Sequence, residues 1–332
     1  MREYSNSISY FPEQLRIGSD LMYLECLIDD QTDVEPLPVV RELVDIMIDA
    51  LHNPDKPRPE GEPVLGRIVK ESVIVFHSNA LAISSLMSSS ICRFCQRAFK
   101  VATTSAARHF VESFTEYLES NVVHSRDRTN NVISPFEGFI EYRRPNTSAK
   151  SMFFMGELGL NIPDEAYYHP IIREIQNCAI DLIAIDNVSC IIILPVTRGT
   201  VLLSSFIQDM QSYNIEQAVG EVHRNMLTVL MRQFNLDPQE AMNRTHECLR
   251  EIQRKFIGLL GEVPSFGLAV DTAISDYIFH LGCWIQANVC WGFESGRYFG
   301  NKGVNVQRDG WVEVFPKVKT YPELDRELGY SS

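Results

Sequence analysis

The spacing of apolar residues constrains the fold of this chain more than any other feature. Val39, Leu43 and Met47 lie four positions apart, which places them on one face of an α-helix, and most of the sequence repeats this kind of spacing. Runs that alternate polar and apolar residues, as half-buried strands require, are few. Stretches at residues 53–63 and 235–238 contain prolines and separate helical segments. We therefore predict an all-α fold, a single helical bundle without detectable internal repeats.

Length and charge limit what such a bundle can do. With 332 residues, of which 45% are apolar and 22% charged, the chain suits one large globular domain, which we predict for residues 1–332. A net charge of −13 argues against nucleic-acid binding, which needs a basic surface. The same charge would repel an anionic substrate unless bound cations intervene, although it can also serve solubility alone.

The sequence offers neither a membrane span nor a disulfide framework. The apolar stretch at residues 182–206 is interrupted by charged residues and a proline, so we reject a transmembrane helix. The eight cysteines are scattered, and the CxxC pair of Cys92 and Cys95 has no second pair to complete a zinc site. The N-terminus lacks the basic and apolar regions of a signal peptide. We expect reduced thiols and a cytoplasmic location.

An aspartate-rich motif, DDQTD, occupies residues 29–33. Asp29 and Asp33 are four positions apart, so on a helix they project together and can hold a hard cation through carboxylate oxygens. The apolar run at residues 21–24 indicates that the acids lie at the end of a buried helix. Mg²⁺ prefers such oxygen ligands and often shares them with substrate phosphates. An acidic surface turn is the alternative interpretation.

A second polar pair, Ser212 and Glu216, is also spaced four residues apart. A hydroxyl and a carboxylate on one helix face can hold a second Mg²⁺. An exposed polar face is the alternative here.

Two pairs could bind phosphate. Arg297 and Tyr298 follow an aromatic segment near the C-terminus, and an arginine fork together with a phenol can donate to phosphate oxygens. Arg143 and Arg144 could sense a diphosphate, although such a pair usually marks a solvated face.

Taken together, these motifs resemble those of basidiomycete-type sesquiterpene synthases, which are class I terpene cyclases. The order is the same: an aspartate-rich motif, an arginine sensor, an asparagine–serine–glutamate motif and a C-terminal arginine–tyrosine pair. Supporting strings include DLMYLECLIDD, SFTEYLES, IPDEAYYHPII, DMQSYNIEQAVG and FESGRYFGNKG. The likeness runs from about Tyr10 to Lys317. It implies the class I terpenoid synthase helical bundle, with the family's helices before the aspartate-rich motif absent or shortened.

The resemblance also implies a function. The chain would be an Mg²⁺-dependent sesquiterpene synthase that ionises and cyclises farnesyl diphosphate and releases diphosphate. The implied Mg²⁺ ligands are Asp29, Asp33, Asn187, Ser212 and Glu216, and the implied diphosphate-binding and catalytic residues are Arg144, Arg297 and Tyr298. Trp284, Trp291 and Phe293 are candidates to line the cavity, where aromatic faces stabilise carbocations, or else plain core residues.

Two segments depart from the family pattern: residues 72–93, rich in serine, and residues 188–208, rich in β-branched residues. The second metal motif needs an asparagine four residues before Ser212, where this chain has a glutamine. Deleting residues 188–208 joins Asn187 to Asp209 and restores asparagine, serine and glutamate at four-residue spacing. The first two codons of this segment can be GTAAGT and its last CAG, which match the two ends of an intron. We therefore hypothesise that residues 188–208 are a foreign insertion from a retained intron. Residues 72–93 could be a second one, since joining Glu71 to Phe94 continues a family-like helix. Two buried native segments are the alternative.

Other departures bear on activity. Ser148 stands where the family usually has a glycine, and Glu25 replaces an expected apolar residue. The alternative function is therefore a catalytically impaired or non-catalytic homologue of a terpene synthase. A chain-elongating prenyltransferase shares the fold but would be expected to carry a second DDxxD motif.

Overall fold

A computed structural model describes residues 12–53, 56–63, 65, 102–185, 192–196, 199–203, 208–220, 225–310 and 314–318. Helices dominate these residues, which confirms the predicted all-α class. The chain divides into two compact units, Met1–Thr129 with Ser151–Ile162, and Asn130–Lys150 with Pro163–Ser332. The single domain over residues 1–332 stays a prediction, and residues 72–93 lie outside the described part of the chain.

The helices of the described residues are these, in chain order: α1 (Pro12–Val34), α2 (Leu37–His52), α3 (Thr104–Thr129), α4 (Phe136–Asn146), α5 (Ala149–Met152), α6 (Phe154–Glu157), α7 (Asp164–Tyr167), α8 (Pro170–Ile185), α9 (Gln208–Val219), α10 (Met226–Phe234), α11 (Pro238–Leu260), α12 (Leu268–Glu294) and α13 (Gly303–Asp309), the last preceded by a 3₁₀ turn at Gly300–Lys302. None of the helices in these ranges combines the length and apolar character needed to cross a membrane.

In the first unit, α1 and α2 each pack against α3. Leu43 and Met47 lie on the buried face of α2, as the sequence predicts. The prediction for Val39 is wrong, because Val39 is exposed and the neighbouring Val40 is buried instead. Phe110 of α3 has its ring 5.3 Å from that of Phe114 and 5.0 Å from that of Phe154, a residue of α6. Buried aromatic rings of this kind dominate the energetics of a core.

In the second unit, α8 is the central helix and packs against α4, α9, α11 and α12. Its residues Ile172, Ile175 and Ala179 are completely buried, since neighbours cover several of its faces. The break predicted near residues 235–238 is confirmed: Asn235 ends α10 in the left-handed conformation, and Asp237 forms a capping box with Glu240 at the start of α11.

An antiparallel hairpin is the exception to the helices of the described residues. Its strands are β1 (Ile192–Val196) and β2 (Gly199–Leu203), with Ile192 opposite Leu203. The hairpin lies between α8 and α9, within residues 188–208. The β-branched composition that marks this segment in the sequence favours strands over helix.

Candidate active site

The aspartate-rich motif forms the last turns of α1, and α3 fixes this end of the helix. Arg128 Nη2 donates to the carbonyl oxygens of Thr32 (3.2 Å) and Glu35 (2.6 Å). The last carbonyls of a helix have no intrahelical partner, so this arginine satisfies them. The Asp33 carboxylate lies beside the same helix, with Oδ1 3.5 Å from His124 Nδ1. The predicted helix end is therefore confirmed, and α3 positions it.

The acidic side chains of α1 gather around Tyr117 of α3. Its hydroxyl is buried and donates to the carbonyl oxygen of Glu25 at 3.2 Å. Burial, and after it the charges of Asp29, Glu25 and Asp33, raise the pKa of this phenol well above its usual value. The carboxylates thus create a negative potential on one face of α1, which a bound divalent cation would relieve.

Glu25 is accommodated although it stands at an expected apolar position. It is 5% exposed, and Ser151 Oγ donates to its Oε1 at 2.5 Å. A buried carboxylate requires such donors.

Ser212 and Glu216 share one face of α9, as their spacing predicts, and both meet the amide of Asn225. Asn225 Nδ2 donates to Glu216 Oε2 at 2.9 Å and to Ser212 Oγ at 3.5 Å. Asn225 is completely buried, and its Oδ1 accepts from the Leu227 amide at 3.0 Å, which caps α10. Asn187 lies outside the described residues, so its place in this motif stays a prediction.

Arg144 of α4 is held by an acidic partner on α8. Its Nε and Nη2 donate to the two carboxylate oxygens of Asp181, each at 2.7 Å. Burial raises the pKa of Asp181, and the hydrogen bond from Arg144 works against this shift. Arg143 is separate, being buried with its Nη1 donating to Asn146 Oδ1 at 3.3 Å.

Ser148 follows α4 in the left-handed conformation, with φ at 56°. Glycine adopts this conformation without the steric cost of a Cβ, which explains why a glycine is expected at this position.

The C-terminal pair differs in exposure. Tyr298 is buried in an apolar cluster with Phe293, and Ile215 of α9 packs against that cluster. The ring of Trp291 meets Tyr298 edge-on at 5.8 Å, whereas Arg297 is exposed. The fold thus brings this segment next to α9, the helix that carries Ser212 and Glu216.

Trp284 is the third aromatic candidate for lining the cavity. Trp284 is half-buried on α12, and no ring contact of this residue occurs within the described part of the chain. Gly303 packs closely against the end of α12, since a Cβ atom there would overlap the carbonyl oxygen of Phe293.

The donor atoms of the two motifs fit a hard cation. Within the ranges that the structure describes, no group of three or more His, Cys, Asp or Glu side chains is placed to hold a metal. The two motifs offer carboxylate and hydroxyl oxygens, which Mg²⁺ prefers. Such an ion would complete its shell with water and substrate oxygens, its usual behaviour in phosphate-binding enzymes.

Sequence reasoning missed the side chains that hold the predicted ones in place. Asn225 precedes an apolar helical run, the usual position of a helix cap, so a signal for it existed. Asp181 is a carboxylate within an otherwise apolar stretch of α8, which also could have indicated a buried partner. Arg128 and His124 carry no signal of their own.

Comparisons with known proteins agree on the family. Residues 20–255 match a family model described as terpene synthase family 2, C-terminal metal binding. Sesquiterpene synthase 14 of Postia placenta is 41% identical over 315 residues, covering 95% of this chain and 78% of that protein. Delta(6)-protoilludene synthase 18 of the same fungus is 36% identical over 305 residues, covering 92% and 75%.

A solved structure agrees with the fold. Wild-type cucumene synthase superposes with a TM-score of 0.59 at 16% identity, covering 85% of this chain and 81% of that one. At this identity the likeness concerns the fold alone.

Proposed function

The chain belongs to terpene synthase family 2, and on that premise we propose that it is a sesquiterpene synthase that ionises and cyclises farnesyl diphosphate with Mg²⁺. The observation that carries the proposal is the oxygen-only donor set of two helical motifs, Asp29 with Asp33 and Ser212 with Glu216. Relatives named sesquiterpene and protoilludene synthases support the substrate class. A cytoplasmic location stays a prediction.

Each motif would hold metal through its own side chains. Asp29 and Asp33 supply carboxylates at the end of α1, where Arg128 fixes the backbone. Ser212 and Glu216, with Asn187, supply the second set. Bound Mg²⁺ would act as a Lewis acid that neutralises the charge developing on the leaving diphosphate.

Three further side chains would bind the diphosphate and stabilise its charge. Arg144 keeps Nη1 available beyond its hydrogen bonds to Asp181, and Arg297 and Tyr298 offer additional donors. The aromatic cluster around Phe293 would exclude water from the allyl cation, and ring faces there would stabilise positive charge.

The test is product formation by the purified full chain with farnesyl diphosphate and Mg²⁺. Gas chromatography with mass spectrometry would identify hydrocarbon products, and a coupled assay would measure released diphosphate. We expect cyclic sesquiterpenes, and no turnover after chelation of Mg²⁺ or in the variant Asp29→Asn with Asp33→Asn. Product formation that persists in that double variant would contradict the proposal.

The hairpin supports a second candidate, a catalytically impaired form of the same enzyme. β1 and β2 separate α8 from α9, so residues 188–208 interrupt the helix that would carry Asn187 in register with Ser212. An error of about 1 Å in the position of a catalytic group can reduce a rate on the order of 100-fold. On this account, residues 188–208 are an insertion from a retained intron; the same origin for residues 72–93 is a separate hypothesis.

A variant lacking residues 188–208 tests this second candidate against the full chain. If the full chain is impaired, the deletion should raise turnover about 100-fold. Sequencing of the mature transcript should then show the segment spliced out. Equal activity of both proteins would reject the impaired form, and inactivity of both would favour a non-catalytic homologue.

A further inference from the structure

Asp181 forms hydrogen bonds with one edge of the Arg144 guanidinium. Nε and Nη2 both donate to Asp181 at 2.7 Å, the two-bond geometry that fixes the plane and the direction of an arginine side chain. The backbone of Arg144 is also tied, because Thr147 Oγ1 donates to its carbonyl oxygen at 3.0 Å. Both ends of this side chain are therefore fixed before any ligand binds.

The pair is asymmetric in its access to solvent. The Asp181 side chain is 5% exposed, whereas that of Arg144 is 27% exposed. A guanidinium carries five N–H donors, and Asp181 accepts two of them. Within the described residues the Arg144 side chain makes no other hydrogen bond, so Nη1 remains for a ligand.

We propose that Asp181 is a positioning residue: it holds the guanidinium of Arg144 in the orientation in which Nη1 donates to the diphosphate of the substrate. The inference rests on the proposed function and assigns a role to a residue outside its metal motifs. A long side chain that is already ordered loses less conformational freedom on binding. Without Asp181, Arg144 would have to be ordered by the ligand itself.

Asp181 also has an electrostatic effect, which works against diphosphate binding. Its negative charge offsets that of Arg144, so removing it could strengthen the attraction for an anion. Glu174 provides the matched control, because it lies on the same helix and its charge also acts on Arg144 through space. Glu174 pairs instead with Lys255 on the protein surface.

The experiment measures the affinity of inorganic pyrophosphate, with Mg²⁺ present, by calorimetry on the full chain and its variants. We expect Asp181→Asn to weaken binding about tenfold, while Glu174→Gln stays close to the wild-type affinity. In an Arg144→Lys background, which lacks the fork, Asp181→Asn should have no further effect. This cycle separates positioning of Arg144 from a general structural role, which would weaken both backgrounds alike.

Several outcomes would overturn the inference. One is that Asp181→Asn binds pyrophosphate as tightly as the wild type. Another is that Asp181→Asn weakens binding by the same factor in the Arg144→Lys background as in the wild type. If Asp181→Asn does not fold, Asp181→Glu keeps the carboxylate but displaces the guanidinium by a methylene, and wild-type affinity in that variant would equally refute positioning. A wild-type chain that does not bind pyrophosphate would refute the proposed function, and with it this inference.

Discussion

Replacing Asn225 should destabilise the second unit through two separable contacts. Its Oδ1 caps α10 by accepting from the Leu227 amide at 3.0 Å, and its Nδ2 donates to Glu216 at 2.9 Å. Alanine removes both contacts, whereas serine keeps a cap acceptor but is too short to replace the bond to Glu216. The two variants therefore divide the role of Asn225 into its parts.

The magnitudes follow from the kind of contact. Loss of a helix cap costs about 1 kcal/mol. Loss of a hydrogen bond to a charged group costs about 1.5–3 kcal/mol, and Glu216 is only half-buried, which places it at the lower end. We thus expect Asn225→Ala to lower the free energy of unfolding by about 2.5 kcal/mol and Asn225→Ser by about 1.5 kcal/mol.

Urea unfolding followed by circular dichroism would measure the totals. Hydrogen exchange at the Leu227 amide measures the cap contact separately. The loss of about 1 kcal/mol at the cap should speed this exchange about fivefold in Asn225→Ala and much less in Asn225→Ser. The reasoning would be refuted if Asn225→Ala cost less than about 1 kcal/mol, or if both variants exposed the Leu227 amide equally.

Three other predictions concern single positions. Burial raises the pKa of Cys178 to about 11, so alkylation at pH 8 should spare this thiol in the folded chain and modify it in urea. Peptide mapping that shows rapid modification of the folded form would contradict this. Ser148→Gly should stabilise the chain by about 0.5–1 kcal/mol, because φ of 56° strains a residue with a Cβ, and a lower melting temperature would be the contrary result. Gly303→Ala should cost about 3 kcal/mol, because its Cβ would overlap the Phe293 carbonyl, and unchanged urea unfolding would show that α13 can shift.

The sequence predicts what depends on local spacing. Helical period alone puts Ser212 and Glu216 on one face, and in the structure both meet the amide of Asn225. The apolar run before Asp29 likewise indicates a buried helix that ends in acids, as observed. These features need only the geometry of one helix.

The partners that hold these side chains could not be predicted in the same way. Arg128 and Thr32 are 96 residues apart in the sequence, and Asp181 meets Arg144 from a different helix. Such pairings depend on how helices pack, and no local pattern specifies them. The unusual composition of residues 188–208 sets that segment apart from its helical flanks, but a hairpin does not follow from composition alone.

The position of Asp181 on α8 has a consequence if residues 188–208 come from a retained intron. Asp181 lies in its final turns, upstream of residues 188–208, whereas Ser212 and Glu216 lie downstream. Retention of that segment would leave the hydrogen bonds between Asp181 and Arg144 intact and would disturb only the proposed metal ligands. If a spliced and an unspliced form are both translated, the longer protein would keep part of its hold on the substrate without converting it. It would then sequester substrate from the active form, and this effect would grow as splicing becomes less efficient.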